Sequence, residues 1–102
     1  MNLAMTTRIK YNRKMIESGE AIYIGRGFRY HNVKKSKWHN PFALKQYDRQ
    51  TAIDLFKDYL LNGSGKYLLS DLHELKGKKI ACHCDLDQIC HGDILIEIIN
   101  QS

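Results

Sequence analysis

All three cysteines of the chain fall within nine positions, at Cys82, Cys84 and Cys90, and His91 follows directly on the last of them. Three chemistries fit that run, A-C-H-C-D-L-D-Q-I-C-H-G-D-I-L. Cys82, Cys84, Cys90 and His91 supply the tally of a tetrahedral Cys₃His site, for which zinc is the suitable ion. The C-x-C-x5-C-H spacing is not that of a usual zinc finger, and buried cysteine is also simply a small hydrophobe. In the second chemistry Cys90 is a nucleophile. It stands at or just before a helix start, where the dipole and free N–H groups lower a thiol pKa, and His91 can act as its base. The third is anion binding. Gly92 leaves the first helical turn open to a phosphate or ribose, and His91 can donate to the phosphate. Asp93 partly opposes an anion and suits a ribose hydroxyl or a base amino group, or is a plain helix-start charge. Cys90, His91 and Asp93 are therefore the catalytic candidates, as nucleophile, base or acid.

A second region carries charge and rings. The formal net charge is +5, and from Ala21 to Tyr47 there is no acidic residue. That stretch holds Arg26, Arg29, Lys34, Lys35, Lys37 and Lys45 with six of the ten aromatics, Tyr23, Phe28, Tyr30, Trp38, Phe42 and Tyr47. Cations interleaved with rings suit an anionic ligand with flat bases; a solvated basic loop is the plain alternative. Arg26, behind Gly25, can contact a phosphate in bidentate fashion. Gly25 and Gly27 give the backbone conformations closed to other residues, but G-R-G is too short for a phosphate-loop signature. Trp38 and Phe42 can stack a base, with Trp38 equally suited to plugging the core. Asn40 can read a base edge or hold the loop. His31, His39 and His73 are isolated, His83 faces away from its cysteine neighbours if the strand continues, and none of the four supports an inference.

The elements that must position these residues follow from periodicity. Thr7–Asn12 alternates as a short strand, and Ser18-Gly19 marks a turn. Ala21–Ile24 is a compact strand ending at Gly25. Phe28–Leu44 is a long loop broken by Pro41. Asp48 caps a helix to about Leu61 whose apolar face is Ala52, Ile53, Phe56, Tyr59 and Leu60. A second helix is expected over Lys66–Lys76, closed by Gly77, then a strand over Lys78–Cys82 and a third helix from Cys90 or His91 to Asn100.

The order strand, strand, loop, helix, helix, strand, helix predicts one α/β domain over residues 1–102: a small sheet of about three strands, at least partly parallel, packed by three helices as in a Rossmann-like fragment. Residues 1–6 are expected to be loose. If Ala21–Ile24 and Lys79–Cys82 run parallel, both end at one edge, and Gly25-Arg26-Gly27 meets Cys84–His91 there. No membrane span or signal peptide is legible. That predicts a cytoplasmic chain, where clustered cysteines are metal-binding or reactive more often than disulfide-bonded.

Four motifs in order, Tyr23–Arg26 (Y-I-G-R), Trp38 with Asn40–Phe42 (W-x-N-P-F), Leu75–Cys84 and Cys90–Leu95 (C-H-G-D-I-L), resemble a small family of unknown function common in bacteriophages and bacteria. The resemblance spans about Arg8 to Asn100. It implies a compact α/β fold, a phage origin with residence in the host cytosol, and no established activity; the matching residues are implied to form the site. Asp85–Ile89 stands where a proline-rich insert is expected. The tail also resembles a second uncharacterised family ending Cys…Cys-His-Arg, but here Gly92-Asp93 follows.

Three functions remain open. One is a binding protein for an anionic, base-containing small molecule, a nucleotide or nucleoside phosphate, in which a phage-borne chain sequesters a nucleotide immune signal. Its ligand-binding set is Tyr23, Gly25, Arg26, Gly27, Trp38, Asn40, Phe42, Cys84, His91, Gly92 and Asp93. The second is an enzyme on a nucleotide or nucleobase through Cys90, His91 or Asp93. The third is a nucleic-acid- or protein-binding domain with a structural zinc cluster. No cofactor other than zinc is suggested, and no membrane partner.

Overall fold

A computed structural model of the chain describes residues 5–26 and 35–101. Three short strands, β1 (Thr7–Lys10), β2 (Ala21–Tyr23) and β3 (Lys79–Cys82), form one sheet in the order β1-β3-β2. Both pairings are parallel, with Arg8 opposite Ile80 on one side and Ile22 opposite Ile80 on the other. All three strands therefore end at the same edge. The pairing runs slightly past the strands: Tyr11 N–H donates to Cys82 O, and Ile24 N–H to Ala81 O at 3.0 Å. The expected α/β class and the parallel pairing are both present.

Between β1 and β2 lies a helix that the sequence reading leaves as an unassigned segment, α1 (Arg13–Ser18). The Asn12 side chain accepts from Met15 N–H at its start, and Gly19 ends it in the left-handed region at φ 84°, where lacking a Cβ removes the steric penalty. After β2 comes α2 (Arg49–Leu61), capped by the Asp48 carboxylate accepting from Thr51 N–H, as its sequence predicts. Ala52, Ile53, Phe56 and Leu60 are its buried face.

The expected helix over Lys66–Lys76 is instead a 3₁₀ helix, Lys66–Glu74. Leu68 and Leu72 are buried along it and Leu75 at its end; the four-residue step is the α-helical spacing behind the expectation, and the three-residue step suits the tighter winding. Gly77, at φ 76°, turns the chain into β3. Last comes α3 (His91–Gln101), burying Ile94, Leu95, Ile98 and Ile99.

Helix α3 packs on β1 and β3, and α2 packs on α3 and on the 3₁₀ helix. Lys57 on α2 pairs with Glu97 on α3 at 3.0 Å. Ala81, on the face of β3 opposite Ile80, is fully buried as well, because a central parallel strand is covered on both sides. Thr6, within the stretch expected to be loose, is 4% exposed. Its hydroxyl donates to Leu75 O and accepts from Gly77 N–H, pinning the chain before β1 to the turn before β3. Trp38 lies in the core at 2% exposure. Among the described residues no helix is long and apolar enough to cross a membrane.

Candidate functional site

Parallel strands place ligand sites beyond their carboxyl ends, and that edge carries the cysteines. Cys82 ends β3, Cys84 lies two residues on, and Cys90 immediately precedes α3. Their three sulfurs all lie within 4.8 Å of one another. Cys82 and Cys90 are buried, and their sulfurs stand 3.1 Å apart as free thiols. Cys84 is half-buried.

Each sulfur receives an N–H donor. Arg8 Nη1 reaches Cys82 Sγ at 3.8 Å, Arg49 Nη1 reaches Cys84 Sγ at 3.5 Å, and the backbone N–H of Gly92 reaches Cys90 Sγ at 3.5 Å. The charged form is favoured at Cys84. Hydrogen bonds from the Cys82 and Cys90 thiols, then Arg49, hold its thiol far below the ordinary value. Cys90, donating within the same group and buried, is pushed far up. These directions run against the expectation of Cys90 as the activated thiol and favour the charged form at Cys84, beside Arg49.

His91 is buried. Its Nε2 lies 2.7 Å from Ile24 O. A carbonyl only accepts, so Nε2 carries the proton and Nδ1 presents a lone pair, 3.6 Å from Cys90 Sγ. Burial pushes its pKa down and keeps the ring neutral. His91 stands beside the three-sulfur group and is not a member of it.

Asp93 does not line the pocket described below. Its Oδ2 accepts from Cys90 N–H at 2.9 Å and its Oδ1 from Arg8 Nε at 3.1 Å. Asp93 thus supplies the return bond of a capping box at the start of α3, while the Cys90 thiol accepts from Gly92 N–H. Gly92 is buried as well, and a Cβ there would come within 2.9 Å of Ile24 Cδ1 and 3.0 Å of Arg8 Cδ. The absence of a side chain lets α3 sit close on the sheet and does not open its first turn to a ligand.

Arg8 and Arg49 are the functional residues that sequence reasoning misses. Arg8 uses all five N–H donors, on Asp93, Cys82 Sγ and the carbonyls of Asp85, Leu86 and Gln88. It shapes the loop between the cysteines from 77 to 80 positions away. Arg49 holds Ile89 O as well as Cys84. No local pattern signals either contact; only the unusual placement of an arginine inside an alternating strand could have drawn attention to Arg8.

Beside the cysteines opens a pocket of about 440 Å³. Tyr23, Gly25, Arg26, Asn40, Phe42, Arg49, Cys82, His83, Cys84, Cys90 and His91 line it, with Ala43, Leu44, Ala52 and Ile53. The Y-I-G-R segment is built around one ring: Tyr23 OH donates to Arg26 O, and a Cβ on Gly25 would stand 2.6 Å from that hydroxyl. Burial raises the Tyr23 phenol to about 12. Asn40 is committed to the loop, donating to Ala52 O and accepting from Phe42 N–H, while Arg26 Nη2 donates to Asn40 O at 2.6 Å. His83 stacks on Tyr11, ring centroids 4.7 Å apart.

Of the expected binding residues, Tyr23, Gly25, Arg26, Asn40, Phe42, Cys84 and His91 line this pocket, whereas Trp38, Gly92 and Asp93 do not. Gly27 lies outside the described residues, as do Phe28, Arg29, Tyr30, His31 and Lys34.

The chain is 34% identical to "Uncharacterized protein R718" of Acanthamoeba polyphaga mimivirus, over 96% of this chain and 81% of that protein. It is 33% identical to the "Uncharacterized 12.4 kDa protein in nrdA-td intergenic region" of Enterobacteria phage T4, over 63% of this chain and 60% of that protein. No solved structure matches. The profile of a domain of unknown function, DUF4326, matches residues 7–101, taking in all the described strands and helices and all three cysteines, and the chain belongs to that family.

Proposed function

We propose that the pocket binds a small phosphorylated molecule with a flat heterocycle, a nucleotide or nucleoside phosphate. One observation carries the reading: a mainly apolar cavity at the carboxyl ends of β2 and β3 is bordered by Arg26, Arg49 and the rings of Tyr23 and Phe42. Its volume lies within the usual range for small-ligand sites, about 300–1,000 Å³. Guanidinium groups recognise phosphate oxygens in pairs, and rings accept a base by stacking.

Binding without reaction is the favoured role. Asp93 is tied to Arg8 and Cys90, and His91 has its one N–H on Ile24 O. Asp93 therefore moves no proton in the pocket, and His91 offers it no N–H, its Nδ1 lone pair facing Cys90. The wider role, withdrawal of a nucleotide immune signal from the host, rests on the viral source of the two relatives. The thiol cluster is compatible with this reading and is the place for a soft metal such as zinc.

The test is calorimetric titration with a panel of mono-, di- and cyclic nucleotides, followed by mass spectrometry of the ligand. Arg26→Ala should weaken binding by about 10- to 100-fold, the loss of a charge-assisted hydrogen bond. A ligand returned with changed mass makes the chain an enzyme. No mononucleotide binding, with DNA or RNA affinity falling steeply with salt, would replace the pocket reading with a nucleic-acid surface.

A further inference from the structure

We propose that Cys82, Cys84 and Cys90 together bind one zinc ion as thiolates, leaving its fourth position open toward the pocket. The metal site stands on the cysteines alone. Only the open position rests on the pocket reading above.

The sulfurs are already assembled. Zn–S bonds of about 2.3 Å at tetrahedral angles put thiolate sulfurs roughly 3.8 Å apart. Here Cys82 and Cys90 are 3.1 Å apart and the whole group lies within 4.8 Å. Shifts of about an ångström or less in side chains alone would seat the ion. A disulfide needs about 2.05 Å, so the pair stands between the two geometries without being bonded.

The surroundings are those of thiolates. Every sulfur has its own N–H donor, from Arg8, Arg49 and Gly92. Such donors orient metal-bound sulfur and spread its charge. Zn²⁺ with three thiolates carries a net charge of −1, and two guanidinium groups face it. Uptake displaces the thiol protons still present into solvent and changes no oxidation state.

The fourth position follows from which groups are absent. Among the described residues no further histidine or carboxylate joins the three-sulfur group. His91 Nδ1 lies 3.6 Å from Cys90 Sγ but is not within common reach of all three sulfurs. All three cysteines line the pocket, so the open position takes water or a ligand oxygen. Three protein ligands and an exchangeable fourth are the pattern of zinc sites that engage a substrate.

The experiment is metal analysis of the full chain purified without chelators, then Co²⁺ titration of the metal-free protein. One zinc per chain and a thiolate-to-cobalt charge-transfer band are expected. Cys84→Ser should lose both. Cys84 is half-buried, so its replacement leaves the core thiols in place; circular dichroism checks the fold. Arg49→Gln removes no ligand and should weaken metal binding on the order of 10-fold.

Added imidazole should shift the cobalt spectrum of the wild type by filling the open position. No metal as purified and no cobalt band overturns the site, as does a band unchanged in Cys84→Ser. A spectrum indifferent to imidazole but altered by His91→Ala overturns the open position. Zinc retained by a chain that binds no nucleotide ends the pocket reading and leaves the metal site standing. Nucleotide binding by a chain that takes no metal does the reverse.

Discussion

Arg8 on β1 and Asp93 on α3, 85 positions apart, pair at 3.1 Å, with the Arg8 side chain only 7% exposed. The pair ties the first turn of α3 to the first strand of the chain. The same carboxylate closes the capping box on Cys90. The Cys90 backbone at the start of α3 is thereby bonded to an ion pair that contains none of the cysteines.

Asp93→Ala removes both contacts at once and leaves Arg8 facing an emptied position. It should lower stability by about 0.5–2 kcal/mol, the range for losing a helix-start cap, in urea unfolding with an unchanged slope. Affinity for a pocket ligand, measured per folded molecule, should change less than twofold. A large loss of affinity without loss of stability would make Asp93 a ligand contact.

Much of this arrangement is legible in the sequence, and what is not has identifiable causes. The Asp48 cap and the stripe from Ala52 to Leu60 are local signals, and the structure keeps both. The meeting of Gly25 with the cysteine run follows from parallel pairing, since β2 and β3 end at one edge. Helix α1 escapes because Met15 and Ile16 are its only apolar residues, adjacent and without helical spacing. It depends on Asn12 and Gly19 instead. The place of Trp38 in the core and not at the pocket is a matter of tertiary packing, which ring chemistry alone leaves open. The partners of Arg8 and Arg49 are sulfurs and carbonyls far along the chain, and no periodicity encodes them.

Gly25 is under a steric demand that a single substitution tests. A Cβ there would lie 2.6–2.9 Å from the Tyr23 hydroxyl and ring. Gly25→Ala should displace that ring, break its bond to Arg26 O and cost about 1–3 kcal/mol, as overpacking does. Thermal unfolding gives the cost. Near-ultraviolet circular dichroism reports the ring, and an unchanged tyrosine signal would contradict the close packing.

Tyr23 also predicts a pH dependence. Burial, then the neighbouring Tyr11 and Cys82, raise its phenol from 10 to about 12. The folded state therefore prefers the protonated phenol more than the unfolded chain does. The stability tied to this preference is fully present below pH 10 and is lost as pH rises through 12. Tyr23→Phe should flatten the part of the stability curve between those values, read from urea midpoints across the range. A wild-type curve already flat from pH 10 to 12 would count against it.

Arg49 should separate the loop from the pocket. Its Nη1 holds Ile89 O at 3.1 Å and Cys84 Sγ at 3.5 Å from the first turn of α2. Arg49→Ala should raise the thiol pKa of Cys84, because one of the groups favouring its charged form is gone. The rate of alkylation by iodoacetamide at fixed pH, resolved by peptide mapping, measures that thiolate. In the metal-free wild type Cys84 should react first and Cys90, buried and proton-holding, last. In Arg49→Ala the reaction at Cys84 should slow severalfold while its order against Cys90 is kept. If Cys90 leads in either protein, the charge sits at the helix start and not beside Arg49, and the account of the cluster given by these contacts fails.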